Sequence, residues 1–287
     1  MVVLEISSSF FGERGKGNLT MAASFSHRTL ALDGSRVHYV EAGQGMPVIV
    51  LHGMMCSWQD WEYLAAILST HHRVIIPDLP GFGQSSPFLS NFDLIHYVTF
   101  VKKFATALNL SQYVLIGGSM GATIAFLSAV SNESVIKVIL INLPVVLTGF
   151  WTRIGYLLSW GMLNLPGAMF FADKLRHSQR FIKLVFKLIR VGDTKLTVGI
   201  QQADLHTTAR LLNDVLHYDL QKSPALISAP LLFCTGTQDP FVQLSILRSF
   251  IKRYPRVETF FIEGGGHCLN SAEIDPLIPK ILDFIKP

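Results

Sequence analysis

Residues 117–121 read Gly117-Gly118-Ser119-Met120-Gly121 and follow directly on the apolar run Tyr113-Val114-Leu115-Ile116. A serine between glycines, ahead of the alanine-rich apolar segment 122–130, is held out from the backbone on a sharp strand-to-helix turn. Small residues at both flanks relieve the crowding there. The helix N-terminus below offers free N–H groups and positive dipole potential to a developing oxyanion. A serine hydroxyl is a weak nucleophile at neutral pH, so it needs a base within hydrogen-bond reach and an acid that orients the base. Two late loops supply candidates. Asp239 sits in the sharp turn Gly236-Thr237-Gln238-Asp239-Pro240, and His267 ends Gly264-Gly265-Gly266-His267, where three glycines leave room for the imidazole to reach across a sheet.

These residues act together only if a sheet brings their loops to one edge. Residues 27–32 and 37–41 flank Asp33-Gly34, a hairpin signal. Short apolar runs at 47–51, 73–77, 113–116, 135–141, 230–234 and 257–262 read as further strands. Helical patterns at 58–68, 94–108, 122–130, 242–252 and 275–285 alternate with them. That rhythm predicts a mostly parallel sheet covered on both faces. It stops over residues 143–228, which carry helical patterns and no clear strand. The expected organisation is therefore a core of residues 25–142 and 229–287, a helical cap of residues 143–228 inserted after the sixth strand, and a loosely held extension at 1–24.

At 287 residues the chain is long enough for one large domain with a sizeable core. Apolar residues make up 49% and charged residues only 15%, which is greasy for a water-soluble enzyme. Three dispersed cysteines, Cys56, Cys234 and Cys268, give neither a disulfide framework nor a metal motif. They fit a reducing, cytoplasmic compartment. The N-terminal run has no basic region and is interrupted by Glu5, so no signal peptide is expected.

The net charge of +4 is uneven. Lys174, Arg176, Arg180, Lys183, Lys187 and Arg190 supply six positive charges, and subtracting them leaves the rest of the chain at about −2. This pattern excludes a nucleic-acid-binding surface spread over a domain. Segment 174–191 reads as an amphipathic helix with its cations along one face. Either that face is merely solvated, or it also touches an anionic membrane surface or an acidic substrate. Residues 154–172 carry no charge, but Gly155, Gly161, Asn164, Pro166 and Gly167 break up any membrane span.

Taken in order, the motifs His52-Gly53-Met54-Met55, Asp78-Leu79-Pro80-Gly81-Phe82-Gly83-Gln84-Ser85, Gly117-Gly118-Ser119-Met120-Gly121, Gly236-Thr237-Gln238-Asp239 and Gly266-His267 give the chain a clear resemblance. Over residues 27–286 it resembles the α/β-hydrolase superfamily, whose triad follows the order serine, acid, histidine. The resemblance implies a mostly parallel eight-stranded α/β sheet with a helical cap. It implies Ser119 as nucleophile, His267 as general base and then acid, and Asp239 as the orienting acid. It also implies an oxyanion hole from the backbone N–H groups of Met54 and Met120, and it calls for no cofactor and no metal. Some relatives carry the acid after the preceding strand, where this chain has Asn142, which cannot carry the charge. His52 reads as a loop-organising residue and Asp78 as a turn carboxylate. Cys56 and Cys268 read as small packing residues.

Relatives that open epoxides or displace halide would require Asp where Ser119 stands. Serine favours hydrolysis of an ester, thioester or lactone through an acyl-enzyme. Met55, Phe150, Trp151, Trp160 and Phe170 are the expected lining of an apolar acyl or alkyl pocket, making a small apolar ester the expected partner. Three alternatives stay open. They are a carbon–carbon bond hydrolase, a hydrolase-derived ligand receptor, and a lipid-handling protein that meets the membrane through helix 174–191.

Overall fold

The computed structural model describes residues 24–147, 150–188, 195–223, 227–269 and 271–286. The extension expected at 1–24 lies outside them except for Ser24. The described chain begins with a hairpin of β1 (Ser26–Leu32) and β2 (Ser35–Ala42). It turns at Asp33 and Gly34, both with positive φ, which matches the right-handed twist of the strands. Six more strands follow: β3 (Pro47–Leu51), β4 (Arg73–Pro77), β5 (Tyr113–Gly118), β6 (Val135–Ile141), β7 (Leu231–Gly236) and β8 (Val257–Ile262). They form one eight-stranded sheet in the order β1-β2-β4-β3-β5-β6-β7-β8. β2 meets both β1 and β4 antiparallel, and β3 to β8 are parallel throughout.

The central strands are continuous apolar runs because both faces are covered. Successive residues alternate between two cores. Ile49, Leu51 and Leu115 join one, and Val48, Val50, Val114 and Ile116 join the other. The helices are α1 (Glu62–Leu68), α2 (Leu94–Ala107), α3 (Met120–Ser128), α4 (Phe150–Asn164), α5 (Ala168–Arg176), α6 (Gln179–Leu188), α7 (Lys195–Gln202), α8 (Leu205–His217), α9 (Leu244–Ile251), α10 (Ser271–Ile274) and α11 (Ile278–Ile285). Side chains of α2, α3 and α9 fill the first core, and those of α1 and α11 the second. The helix expected over 58–68 opens instead as a 3-10 turn at Trp58–Trp61. There the Ser57 N–H donates to the Asp60 carboxylate at 2.8 Å.

Between β6 and β7 the described chain runs through α4 to α8 without a strand. This insertion is tied to the core at its return. The Asp204 N–H donates to Gly81 O at 2.8 Å. The Arg176 guanidinium donates to the carbonyls of Gln201 (2.9 Å) and Ala203 (2.5 Å) and pairs with Asp173 at 2.6 Å. Arg176, expected on a solvated basic face, is thus turned inward, because those carbonyls close the end of α7 and need donors.

Candidate active site

Parallel register carries the functional loops to one edge. Gly118 pairs with Ile141, Ile141 with Cys234, and Cys234 with Phe260, so β5 to β8 end side by side. At the end of β5, Ser119 takes φ 54° and ψ −121°, a conformation rare for a residue with a Cβ. Close packing demands that turn. A Cβ on Gly117 would stand 2.2 Å from Gly121 O, and one on Gly121 would stand 2.2 Å from Leu51 O. Only glycine at both positions lets α3 start against β3 and β5. Every residue of α3 is buried, so the helix is fixed from all sides.

Ser119, His267 and Asp239 lie in one hydrogen-bonded chain. His267 Nε2 is 2.8 Å from Ser119 Oγ, and His267 Nδ1 is 2.7 Å from Asp239 Oδ2. The carboxylate accepts from Nδ1–H, which leaves Nε2 free to accept from the serine hydroxyl. The other Asp239 oxygen accepts from the Phe241 N–H at 2.8 Å, and the Phe241 ring meets the imidazole edge-on at 4.8 Å. Asp239 has no exposed side-chain surface. Its loop is locked to that of His267 by the Gln238 N–H, which donates to Gly265 O at 2.9 Å.

The loop after β3 passes over the serine. A Cβ on Gly53 would lie 3.4 Å from Ser119 Cβ, which brings the Gly53–Met54 backbone against the nucleophile. Met120 is the first residue of α3, where N–H groups have no intrahelical acceptor. Met55 adopts a positive φ of 56°. Helix α7 presses on it, since a Cβ on Gly199 would stand 2.3 Å from Met55 O.

This loop rests on a buried polar base. Fully buried His52 donates from Nδ1 to Gly53 O at 2.8 Å and accepts at Nε2 from the Leu79 N–H at 2.9 Å. Burial lowers its pKa, so the ring is neutral and both nitrogens are committed. Burial alone would raise the Asp78 pKa. His38 at 2.8 Å, the nearby His52 and the N–H groups of Gln84 and Trp58 outweigh it and hold the carboxyl below its ordinary range. Both side chains are bonded to the backbone of the loops around them.

Asn142, at the position where some relatives carry the acid, has φ 51° and is almost fully buried. Its Nδ2 donates to the carbonyls of Gly266 (3.1 Å) and His267 (2.7 Å), and its Oδ1 accepts from Thr235 Oγ1 (3.0 Å) and the Gly236 N–H (2.9 Å). This clamp joins the acid loop to the histidine loop. In the sequence Asn142 reads only as a missing carboxylate; the signal for its role is an amide at a strand end between two functional loops.

Met54 and Met55 are half-buried against the first core. Trp160 and Phe170, expected to line a pocket, lie exposed on α4 and α5. On α4, Gly155 packs on Leu216 of α8 and Ser159 is buried, which turns Trp160 the other way. The side chains of Phe150 and Trp151 lie outside the described residues. Buried Ile182 of α6 packs with Cys56, Cys268 and Ile200, an apolar cluster beside His267. Burial pushes the Cys268 thiol up to about 12 and the Cys56 thiol well above its usual value, so neither is a thiolate at neutral pH. Among the described residues no group of His, Cys, Asp and Glu has the arrangement to hold a metal.

The model of the alpha/beta hydrolase fold family matches residues 46–272. The chain belongs to that family. Its relatives include the soluble epoxide hydrolase of Corynebacterium sp. (strain C12), 32% identical over 117 residues that make up 41% of each chain. The match therefore spans 41% of the length of that relative. Epoxide hydrolase 4 of Homo sapiens is 26% identical over 282 residues, which cover 88% of this chain and 76% of the human one. Among solved structures, a hydrolase from Pseudomonas aeruginosa PA01 superposes with a TM-score of 0.75 at 17% identity, over 91% of this chain and 98% of the other. At that identity the likeness is one of fold. Together the family and its members support a hydrolase role.

Proposed function

We propose that the chain is a serine hydrolase that cleaves a carboxylic ester, thioester or lactone with an apolar acyl or alkyl part. The observation that carries this reading is the unbroken relay from Ser119 Oγ through His267 to Asp239, at 2.8 and 2.7 Å. As Ser119 Oγ attacks the carbonyl carbon, His267 Nε2 takes the hydroxyl proton and Asp239 stabilises the imidazolium. The carbonyl oxygen becomes an oxyanion, held by the backbone N–H groups of Met54 and Met120. Such donors contribute about 3–4 kcal/mol each in the transition state. His267 then returns the proton to the leaving oxygen or sulfur, and the acyl group stays on Ser119. Water enters by the same route, with His267 again the base, and restores the serine.

The relatives' names raise epoxide opening as a competing chemistry. A carboxylate that opens an epoxide forms an ester, which water can cleave. A serine oxygen would form an ether, with no carbonyl for water to attack, so the enzyme would stop after one turnover. Ser119 therefore favours acyl transfer. The cluster of Ile182, Ile200, Cys56 and Cys268, together with Met54 and Met55, supports an apolar acyl or alkyl group.

The test is a p-nitrophenyl ester series, from acetate to chains of eight carbons and longer, run beside styrene oxide. Turnover of esters with a preference for the longer chains is expected. Sustained opening of the epoxide without ester cleavage would overturn the reading, and an acetate optimum would remove its apolar part.

A further inference from the structure

The exposed side of the helical insertion presents an unusual surface. α4 packs one face on α8 through Gly155, whose Cβ would lie 3.2 Å from Leu216, and its opposite face carries Leu157, 65% exposed, and Trp160, 47% exposed. α5 presents Phe170 and Phe171, 59% and 65% exposed. α6 turns Ile182 inward and leaves Phe181 and Leu184 outside. Three successive helices thus keep bulky apolar side chains in water, where isolated exposed residues would be ordinary.

The charges beside them share one sign. Arg153, Lys174, Arg180 and Lys183 are exposed, and the Lys174 ammonium sits 4.4 Å from the centre of the Phe170 ring. The sequence from 150 to 188 holds a single carboxylate, Asp173, which pairs with Arg176 at 2.6 Å. Tryptophan, phenylalanine and leucine flanked by long cationic side chains suit a bilayer interface, where the rings enter the acyl boundary and the cations reach headgroup phosphates. A symmetric contact between two copies would oppose cations with cations and provide no acid to pair them. Among the described residues no single helix is long and apolar enough to cross a membrane. α4 and α5 reach that length only together and bend by 119°. The geometry fits an element that lies in one leaflet.

We propose that the outer face of α4 to α6 docks the protein on the surface of an anionic phospholipid bilayer. The proposal goes beyond the catalytic reading and does not depend on it. The test is flotation of the full chain with phosphatidylcholine vesicles, with and without phosphatidylglycerol, using folding-checked variants. The wild-type chain is expected to float with the anionic vesicles. Arg180→Gln with Lys183→Gln is expected to reduce that binding about tenfold or more. Phe170→Ser with Phe171→Ser is expected to abolish flotation while leaving the melting temperature near wild type. A wild-type chain that stays with the soluble fraction would overturn the proposal. So would vesicle binding that neither pair of substitutions weakens, or self-association without vesicle binding that the Phe170 and Phe171 changes dissolve.

Discussion

The side-chain amide of Asn142 donates a 2.7 Å hydrogen bond to the backbone carbonyl of His267. The same side chain also reaches Gly266, Thr235 and Gly236, so one buried amide fixes the spacing between the Asp239 loop and the His267 loop. Asn142→Ala strands two carbonyls and an N–H group, and it forces alanine into a left-handed conformation. The expected loss is about 2–4 kcal/mol of stability by urea unfolding, with a fall in kcat.

The donor end of Asn142 faces main-chain carbonyls. Asp239→Asn is expected to lower kcat by roughly 10⁴-fold, because the imidazole then loses its orienting carboxylate. Adding Asn142→Asp should restore nothing, since a carboxylate there opposes the carbonyls of Gly266 and His267. Steady-state ester hydrolysis by the single and double variants checks this. Recovery in the double variant would return the acid to residue 142.

Gly199 of α7 lies against the carbonyl of Met55, beside the loop residue Met54, whose N–H is proposed to hold the oxyanion. Gly199→Ala would favour the isolated helix by about 1 kcal/mol, yet its methyl group must displace that loop. The expected result is a loss of roughly 10- to 100-fold in kcat together with a lowered melting temperature, because the contact is with backbone and outweighs the helix gain. An unchanged kcat would separate α7 from oxyanion stabilisation.

Much of this site was legible in the sequence. The glycine-flanked serine, the Asp239 turn and the three-glycine approach to His267 each carry local geometry in their residue types, and the alternating strands and helices specify the sheet that joins them. The apolar residues of the insertion were not assignable in the same way. Trp160 and Phe170 have the composition of pocket lining, but the face a helical residue presents depends on what packs behind it. Gly155, packed on α8, and buried Ser159 decide that for α4. Arg176 likewise shares the spacing of Arg180 and Lys183, and only the fold brings the carbonyls of Gln201 and Ala203 to it.

Burial lowers the His52 pKa, which sets a pH dependence of stability. Above about pH 6.5 the ring is neutral in both folded and unfolded chains, and its contribution is complete. As pH falls below 6.5, the unfolded chain takes up a proton that the folded chain resists, so stability drops by at most about 1.4 kcal/mol per pH unit from this group. His27 and His72, also lowered by burial, act in the same direction. Urea midpoints at pH 8 and pH 5.5 should show the wild-type loss, and His52→Gln should make it smaller. An equal pH slope in the variant would contradict a neutral, buried His52.

The reading of Ser119 as an activated nucleophile is tested most directly by intact-mass measurement after exposure to a fluorophosphonate. The wild-type chain should gain one phosphonyl group, mapped to Ser119 by peptide sequencing. Ser119→Ala should gain none, and His267→Ala should react far more slowly. A wild-type chain that stays unlabelled, or a Ser119→Ala chain labelled at the wild-type rate, would contradict the mechanism.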